Sequence, residues 1–242
     1  MSPGRRISLV VAALLGAALF VRLGFWQLDR RAERAAANAA RAERLAEPTL
    51  DWTGSPPPDD STGVVWRRAR VTGRWDAANE IVLRSRSDLE GRPGVELLTP
   101  LLVEPDLALL VLRGWLPAAD GLRADLALGW PSGVPRIPVT VEGVVIPPSE
   151  GRGGQPVDVE AAGGTHLAIA GIDIPLVADR LPYRVLAYPL RADDDDRPGL
   201  PRPPREIALD AGSHLSYAIQ WFAFAAIALV GTAILLRKER GA

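Results

Sequence analysis

The chain has 242 residues, with 28 lysines and arginines against 29 aspartates and glutamates, two histidines and no cysteine. A net charge near zero gives no basic footprint for nucleic acid, so we expect no nucleic-acid partner. The lack of cysteine excludes disulfides, thiolate nucleophiles, iron–sulfur ligation and cysteine-based zinc or copper sites.

Two long apolar segments, residues 7–26 and 215–236, lie near the two ends of the chain. Each has roughly the 20 apolar residues that cross a hydrocarbon core about 30 Å thick. The first contains Arg22 near its outer end, from where the side chain can reach the lipid headgroups. A cleaved signal peptide is the alternative for this segment, but such a peptide has a shorter apolar core followed directly by small residues. We therefore predict two membrane spans, the first of them an uncleaved anchor in the lipid bilayer.

Basic residues after the second span set the predicted orientation. Arg237, Lys238 and Arg240 follow it directly, and the positive-inside rule places such a cluster in the cytoplasm. Two spans put both termini on one side, so the region between them is predicted to be extracytoplasmic. The predicted division is a cytoplasmic N-terminus at 1–6, transmembrane helix 1 at 7–28, a helical extension and linker at 29–63, an extracytoplasmic β-rich domain at 64–205, a linker and transmembrane helix 2 at 206–236, and a cytoplasmic C-terminus at 237–242.

The region between the spans is one ordinary domain in length, and its pattern is mainly that of β-structure. Residues 29–47 are rich in Ala, Arg and Glu, which favours continuation of the first helix until Pro48. A Pro-, Asp- and Gly-rich linker at 53–63 precedes short Val-, Leu- and aromatic-rich segments separated by turn signals. The predicted strands are 67–75, 80–84, 95–103, 108–116, 139–146 and 183–190, with helices at 173–181 and 122–128 and surface loops at 147–164 and 192–204.

Several short strands separated by turns favour an antiparallel barrel or sandwich over a βαβ sheet. The predicted fold class is therefore a membrane protein in which two transmembrane α-helices flank an antiparallel β-rich domain. Its tryptophans at 66, 75, 115 and 130 are predicted to be core or rim aromatics. The acidic run 193–196 lacks the ligand spacing of a calcium loop, so we predict a solvated loop there.

Motifs spread along the chain resemble those of the surfeit locus protein 1 family of cytochrome oxidase assembly factors. Residues 23–30 read LGFWQLDR and are similar to the family's Leu-Gly-x-Trp-Gln-x-x-Arg signature. Further matches, in family order, are RRARVTGRW at 67–75, LTPL at 98–101, RGWLP at 113–117, VEG at 141–143 and HLSYAIQWF at 214–222. One departure is Leu112, where the family often has Asn before Arg-Gly-Trp.

The resemblance implies a function in biogenesis of the haem-copper oxidase rather than catalysis. It implies a non-enzymatic factor of the cell inner (plasma) membrane that assists delivery or insertion of haem a into the catalytic subunit of the oxidase. The implied partners are that subunit and the haem a synthesis machinery, and haem a would be bound transiently.

Candidate haem-binding residues lie where the two spans meet the outer membrane surface. His214 stands at the mouth of the second span, and a helical wheel places Tyr217, Trp221 and Phe224 on roughly its face. An imidazole above aromatic side chains can ligate haem iron and pack the macrocycle, so His214 is the predicted metal ligand. A single axial histidine would suit a carrier that must release its cargo.

The end of the first span should contribute to the same site, because a hairpin brings it to the same membrane surface. This places Trp26, Gln27 and Arg30 near His214. Arg30, and with it Arg22, can pair with haem propionates, since a guanidinium matches a carboxylate bidentately. Small residues at 12, 16, 24 and 231 would permit close contact between the two helices.

Four alternatives remain open at this stage. Tyr, Trp and His are common at membrane interfaces, so the aromatic and histidine residues can be anchors without a ligand. A scaffold that holds oxidase subunits without binding haem would explain the same features. A membrane-anchored hydrolase would need a histidine beside a nucleophile, and no Gly-x-Ser-x-Gly motif accompanies His214 or His166, which we expect in an exposed loop. A membrane sensor is disfavoured because no cytoplasmic output domain follows Ala242.

Overall fold

A computed structural model describes residues 2–149, 155–161, 164–193, 199–204, 207, 209–210 and 212–240. The chain forms two compact units. The helical unit comprises Met1–Ala42 and Ala208–Ala242, and the β unit comprises Glu43–Ile207. The predicted acidic loop at 193–196 lies outside the described residues except for Asp193, whose carboxylate pairs with Arg68.

Three α-helices are described, α1 (Pro3–Ala46), α2 (Ile174–Ala178) and α3 (His214–Arg240). α1 runs without a break from the apolar segment into the Ala-, Arg- and Glu-rich segment, as its composition predicts, and ends two residues before Pro48. Proline disfavours helical geometry in the residue that precedes it, which accounts for this end. α1 and α3 are both long and apolar enough to span a membrane.

The helical unit is held together by a seam of heptad spacing. Its positions are 10, 13, 17, 20, 24 and 27 on α1 and 214, 218, 221, 225, 228 and 232 on α3, all buried or half-buried. Steps that alternate between three and four residues keep one face of a helix against its partner. Many apolar side chains off this seam are exposed along both helices, among them Ile7, Leu15, Ile219, Ile227 and Ile234.

Gly24 lies on this seam in close contact with the other helix. A Cβ at this position would lie 2.5 Å from the ring of Phe222, so a larger residue would have to displace the phenyl ring. The prediction of close helix contact is therefore confirmed at Gly24. It is wrong at Gly16 and Gly231, where a Cβ would have nothing within 4 Å, and Ala12 is exposed.

The β unit contains ten described strands and two short 3-10 helices. The strands are β1 (Leu50–Trp52), β2 (Arg68–Trp75), β3 (Ile81–Ser87), β4 (Pro93–Glu104), β5 (Leu107–Pro117), β6 (Val139–Val145), β7 (Val157–Ala161), β8 (Gly164–Ile169), β9 (Arg184–Val185) and β10 (Leu190–Ala192). The 3-10 helices are Ala77–Asn79 and Leu126–Gly129. The strands follow the order β1-β2-β6-β10-β5-β4-β3-β8-β7, and β9 pairs with β5.

A second pairing of β2, to β4, closes five of these strands into a barrel. Arg74 lies opposite Leu102 and Trp75 opposite Leu101, so β2, β6, β10, β5 and β4 form a ring. The barrel is filled by side chains of which no more than 1% is exposed, namely Val71, Leu101, Leu109, Val111, Tyr188 and Leu190. Closure leaves this ring without an open edge.

Three sequence predictions for the β unit need correction. The pairings of β1 with β2, β10 with β5, β9 with β5 and β3 with β8 are parallel, so the sheet is not purely antiparallel. The predicted loop 147–164 contains β7 and the start of β8, which pair antiparallel. The predicted strand 183–190 is reduced to β9 and the first residue of β10. These strands are short and lie beside Pro- and Gly-rich segments, which obscures their alternation.

A buried ion pair joins β5 to the segment before β3. Arg113 Nη1 lies 3.1 Å from Glu80 Oε1, and the side chain of Glu80 is 1% exposed. Thr99 Oγ1 donates a further hydrogen bond to the same carboxylate oxygen. The Arg113 guanidinium lies 3.5 Å from the ring centre of Trp130 and 5.3 Å from that of Trp75. Both tryptophans are half-buried in the β unit, which fits the prediction of core or rim aromatics.

Candidate functional site

His214 and Gln27 form a direct hydrogen bond between the two long helices. His214 is the first residue of α3, and its Nδ1 lies 2.9 Å from Oε1 of Gln27 on α1. An amide oxygen accepts, so the imidazole donates from Nδ1, and in the neutral ring the lone pair is then on Nε2. A ring nitrogen fixed in this way is the usual arrangement behind a metal-ligating histidine.

The aromatic residues of α3 divide between the seam and the outside of the helical unit. Trp221 lies on the seam, half-buried, with its ring centre 5.8 Å from that of Phe20 in a stacked arrangement. Phe224 contacts both rings at 5.9 Å but is 46% exposed, and Tyr217 is 48% exposed. The four residues predicted to share one face of α3 are therefore divided. Heptad spacing places His214 and Trp221 on the seam, and it leaves Tyr217 and Phe224, each three positions further on, at the side of the seam.

Trp26 and Arg30 lie on the outside of α1. Half of the Trp26 surface is exposed, and the Arg30 guanidinium lies 6.0 Å from its ring centre. Arg30 also forms an ion pair with Glu33 one turn along the same helix, at 2.5 Å. Of the three residues predicted from α1, the structure brings Gln27 against His214 and gives Arg30 a carboxylate partner on its own helix.

Two further α1 residues contact the segment that leads into α3, and the sequence analysis missed both. Asn38 is 7% exposed and donates from Nδ2 to the carbonyl oxygen of Asp210 at 2.8 Å. Arg34 lies against Gly212, where a Cβ would be 3.0 Å from Arg34 Nη1. Positions 27, 34 and 38 continue the heptad seam beyond the apolar segment. The heptad spacing could have indicated from the sequence that these positions face α3. It was overlooked because the residues there are polar, whereas the rest of the seam is mainly apolar.

His166 is not in an exposed loop, and that expectation was wrong. It lies on β8 and is 3% exposed, with Nδ1 2.9 Å from the carbonyl oxygen of Glu80. The side chain borders a cavity of about 240 Å³ together with Asn79, Thr165 and Arg180. The second half of β8, from His166 to Ile169, is buried throughout, which the interpretation of the flanking glycines as a loop could not anticipate.

Neither histidine has the surroundings of a catalytic base or of a multi-ligand metal centre in the described part of the chain. The hydrogen-bond partners found there are the Gln27 amide for His214 and the Glu80 carbonyl for His166. The described residues contain no group of three or more His, Cys, Asp or Glu that could hold a metal ion.

Comparison with known proteins assigns the chain to a family. A sequence model of the SURF1 family matches residues 14–226, a range that contains both Gln27 and His214. A SURF1-like protein of Rickettsia felis is 23% identical over 234 residues, covering 95% of this chain and 96% of that protein. A SURF1-like protein of Mycobacterium bovis is 26% identical over 231 residues, covering 88% of this chain and 76% of that protein. The chain therefore belongs to the SURF1 family, which is linked to assembly of cytochrome oxidase.

Proposed function

We propose that this protein is a membrane-anchored assembly factor that holds haem a as cargo for the catalytic subunit of a haem-copper oxidase. The observation that carries the proposal is the hydrogen bond between Gln27 and His214 across two long apolar helices. It presents one oriented imidazole nitrogen in a member of a family linked to oxidase assembly. Haem a itself would supply an iron that accepts this nitrogen and a macrocycle with an apolar face and two carboxylates.

The residues around His214 fit such a cargo. The rings of Trp221 and Phe20 stack along the seam below it, and Tyr217 and Trp26 present exposed aromatic surface on the two helices. Holding the cargo through a single histidine would favour transfer over permanent storage. No chemical step is needed for this role, and we propose that the protein is not an enzyme.

We further propose that α1 and α3 cross the inner membrane and that the β unit is extracytoplasmic. The apolar side chains exposed along both helices and the basic residues Arg237 and Lys238 after the second apolar segment support this arrangement. It would place His214 at the outer membrane interface, where haem a could pass from the machinery that synthesises it to the oxidase subunit.

Because the chain has no native cysteine, single substitutions can test the orientation directly. Ser132→Cys lies in an exposed segment of the β unit and Ser2→Cys at the exposed start of the chain. A membrane-impermeant maleimide applied to spheroplasts should label Ser132→Cys, and should label Ser2→Cys only after the membrane is permeabilised. The reverse pattern would contradict the proposed orientation.

The haem proposal is tested by producing the protein together with haem a synthesis and purifying it in detergent. The Soret spectrum and haem content of wild type would be compared with those of His214→Ala and Gln27→Leu. We expect stoichiometric haem in wild type, a sharp fall in His214→Ala, and a smaller fall with a shifted Soret band in Gln27→Leu because the imidazole is no longer oriented. Unchanged haem in His214→Ala would move the ligand elsewhere.

A scaffold that never binds haem is the second candidate, and exposed apolar residues on the β unit favour it. Leu89 is 88% exposed in the turn between β3 and β4, and Ile137 is 72% exposed. Such residues are available for contact with a protein partner. A folded wild type without haem that still co-purifies with the oxidase subunit would favour the scaffold.

A further inference from the structure

Arg34 is placed beside the imidazole of His214 by the turn that precedes α3. A Cβ at Gly212 would lie 3.0 Å from Arg34 Nη1 and 3.6 Å from His214 Cδ2, so the guanidinium and the imidazole edge flank the same point. Cδ2 is bonded to Nε2, the nitrogen that the Gln27 contact leaves with its lone pair. The guanidinium therefore lies near the ring edge that carries Cδ2.

The turn itself is held by side chains, which makes this placement specific. Asp210 accepts the Gly212 amide through Oδ1 at 2.6 Å, and its carbonyl oxygen accepts the amide of Asn38 at 2.8 Å. Gly212 has a φ of +69°, a conformation that suits glycine, and it presents no side chain toward Arg34. One helix face thus positions the turn through Asn38 and the histidine through Gln27, with Arg34 between them.

Arg34 differs from Arg30 in its electrostatic partners. Arg30 is neutralised by Glu33 on its own helix. Among the described residues, no carboxylate lies within ion-pair distance of Arg34, and its side chain is exposed. An exposed guanidinium near an oriented imidazole, with no carboxylate partner among the described residues, is suited to a ligand that carries both a metal and a carboxylate.

We propose that Arg34, rather than Arg30, binds a propionate carboxylate of the haem that His214 holds, an assignment that rests on the proposed function. The two propionates are the ionised groups of the macrocycle and lie at one edge. Pairing them with Arg34 keeps that edge on the polar side of His214, away from the apolar seam that contains Trp221. Arg34 would then determine the orientation of the bound macrocycle.

The test is a double-mutant cycle in which the arginine is changed in the protein and the carboxylates are blocked in the ligand. Purified full-length protein in detergent would be titrated with haem a and with its dimethyl ester, in which both carboxylates are blocked. The variants are Arg34→Gln, the charge-retaining Arg34→Lys, and Arg30→Gln as the matched control on the same helix. Far-UV circular dichroism and elution volume establish that each variant is folded.

We expect Arg34→Gln to weaken haem a binding roughly tenfold, as loss of one charge-assisted hydrogen bond would, and Arg34→Lys to weaken it less. The dimethyl ester should bind wild type about as weakly as haem a binds Arg34→Gln, with no further loss in that variant. A loss in Arg30→Gln instead, or an equal loss for acid and ester in Arg34→Gln, would overturn the assignment. If wild type and His214→Ala both bind no haem, the proposed function itself fails, which is a different outcome from haem binding that ignores Arg34.

Discussion

The buried ion pair between Glu80 and Arg113 should govern the stability of the β unit. Arg113→Met keeps most of the side-chain volume but removes the charge that lies 3.1 Å from a carboxylate only 1% exposed. Breaking a buried pair in this way costs roughly 3–5 kcal/mol, because the remaining carboxylate is left without an opposite charge. Loss of the contact with Trp130, at 3.5 Å from the ring centre, adds about 0.5–2 kcal/mol.

The measurement is urea unfolding of the full chain in a non-ionic detergent, followed by tryptophan fluorescence. The matched control is the double variant Glu80→Gln with Arg113→Met, which removes both charges and leaves Thr99 an oxygen to bond. It should recover at least half of the lost free energy of unfolding, since neither charge is stranded. A double variant as unstable as Arg113→Met, or a single variant within about 1 kcal/mol of wild type, would refute the reasoning.

Two further predictions concern the packing of the helical unit and the loss of stability at low pH. Gly24→Leu should force Phe222 away and cost roughly 1–3 kcal/mol, seen as a lower thermal midpoint in detergent, whereas Gly16→Leu, with nothing within 4 Å, should leave the midpoint unchanged. Equal midpoints for the two variants would contradict the described seam. Desolvation raises the pKa of Asp88, but hydrogen bonds from the backbone and side chain of Arg92 outweigh it and hold that pKa below its usual range. Ionised Asp88 thus stabilises the fold above about pH 4 and the contribution is lost as pH falls further, so the gap in thermal midpoint between wild type and Asp88→Asn should narrow steadily as the pH falls below about 5, by scans at fixed salt. A gap that stays constant with pH would argue against this role.

The candidate site shows where local pattern is a sufficient guide and where it is not. His214 and Gln27 were predicted to be neighbours because each stands at the end of an apolar span, and they are in hydrogen-bond contact. The carboxylate-binding role was assigned to Arg30 by the same proximity, yet Arg30 pairs with Glu33 while Arg34 lies beside the turn at Gly212. Sequence distance cannot separate two arginines one turn apart, because a rotation of the helix decides which one faces the partner.

The amino-acid sequence by itself determined the two apolar ends, the strand-rich middle and the family. Hydropathy, the alternation of apolar with polar residues, and short sequence motifs are all local properties of the chain. Only the tertiary structure decided the closure of the barrel through β2 and β4, the burial of His166, and the seam that sets Arg34 beside His214. Each of these depends on the register between segments far apart in the chain. That register is selected by the packing of many side chains at once, which no single segment encodes.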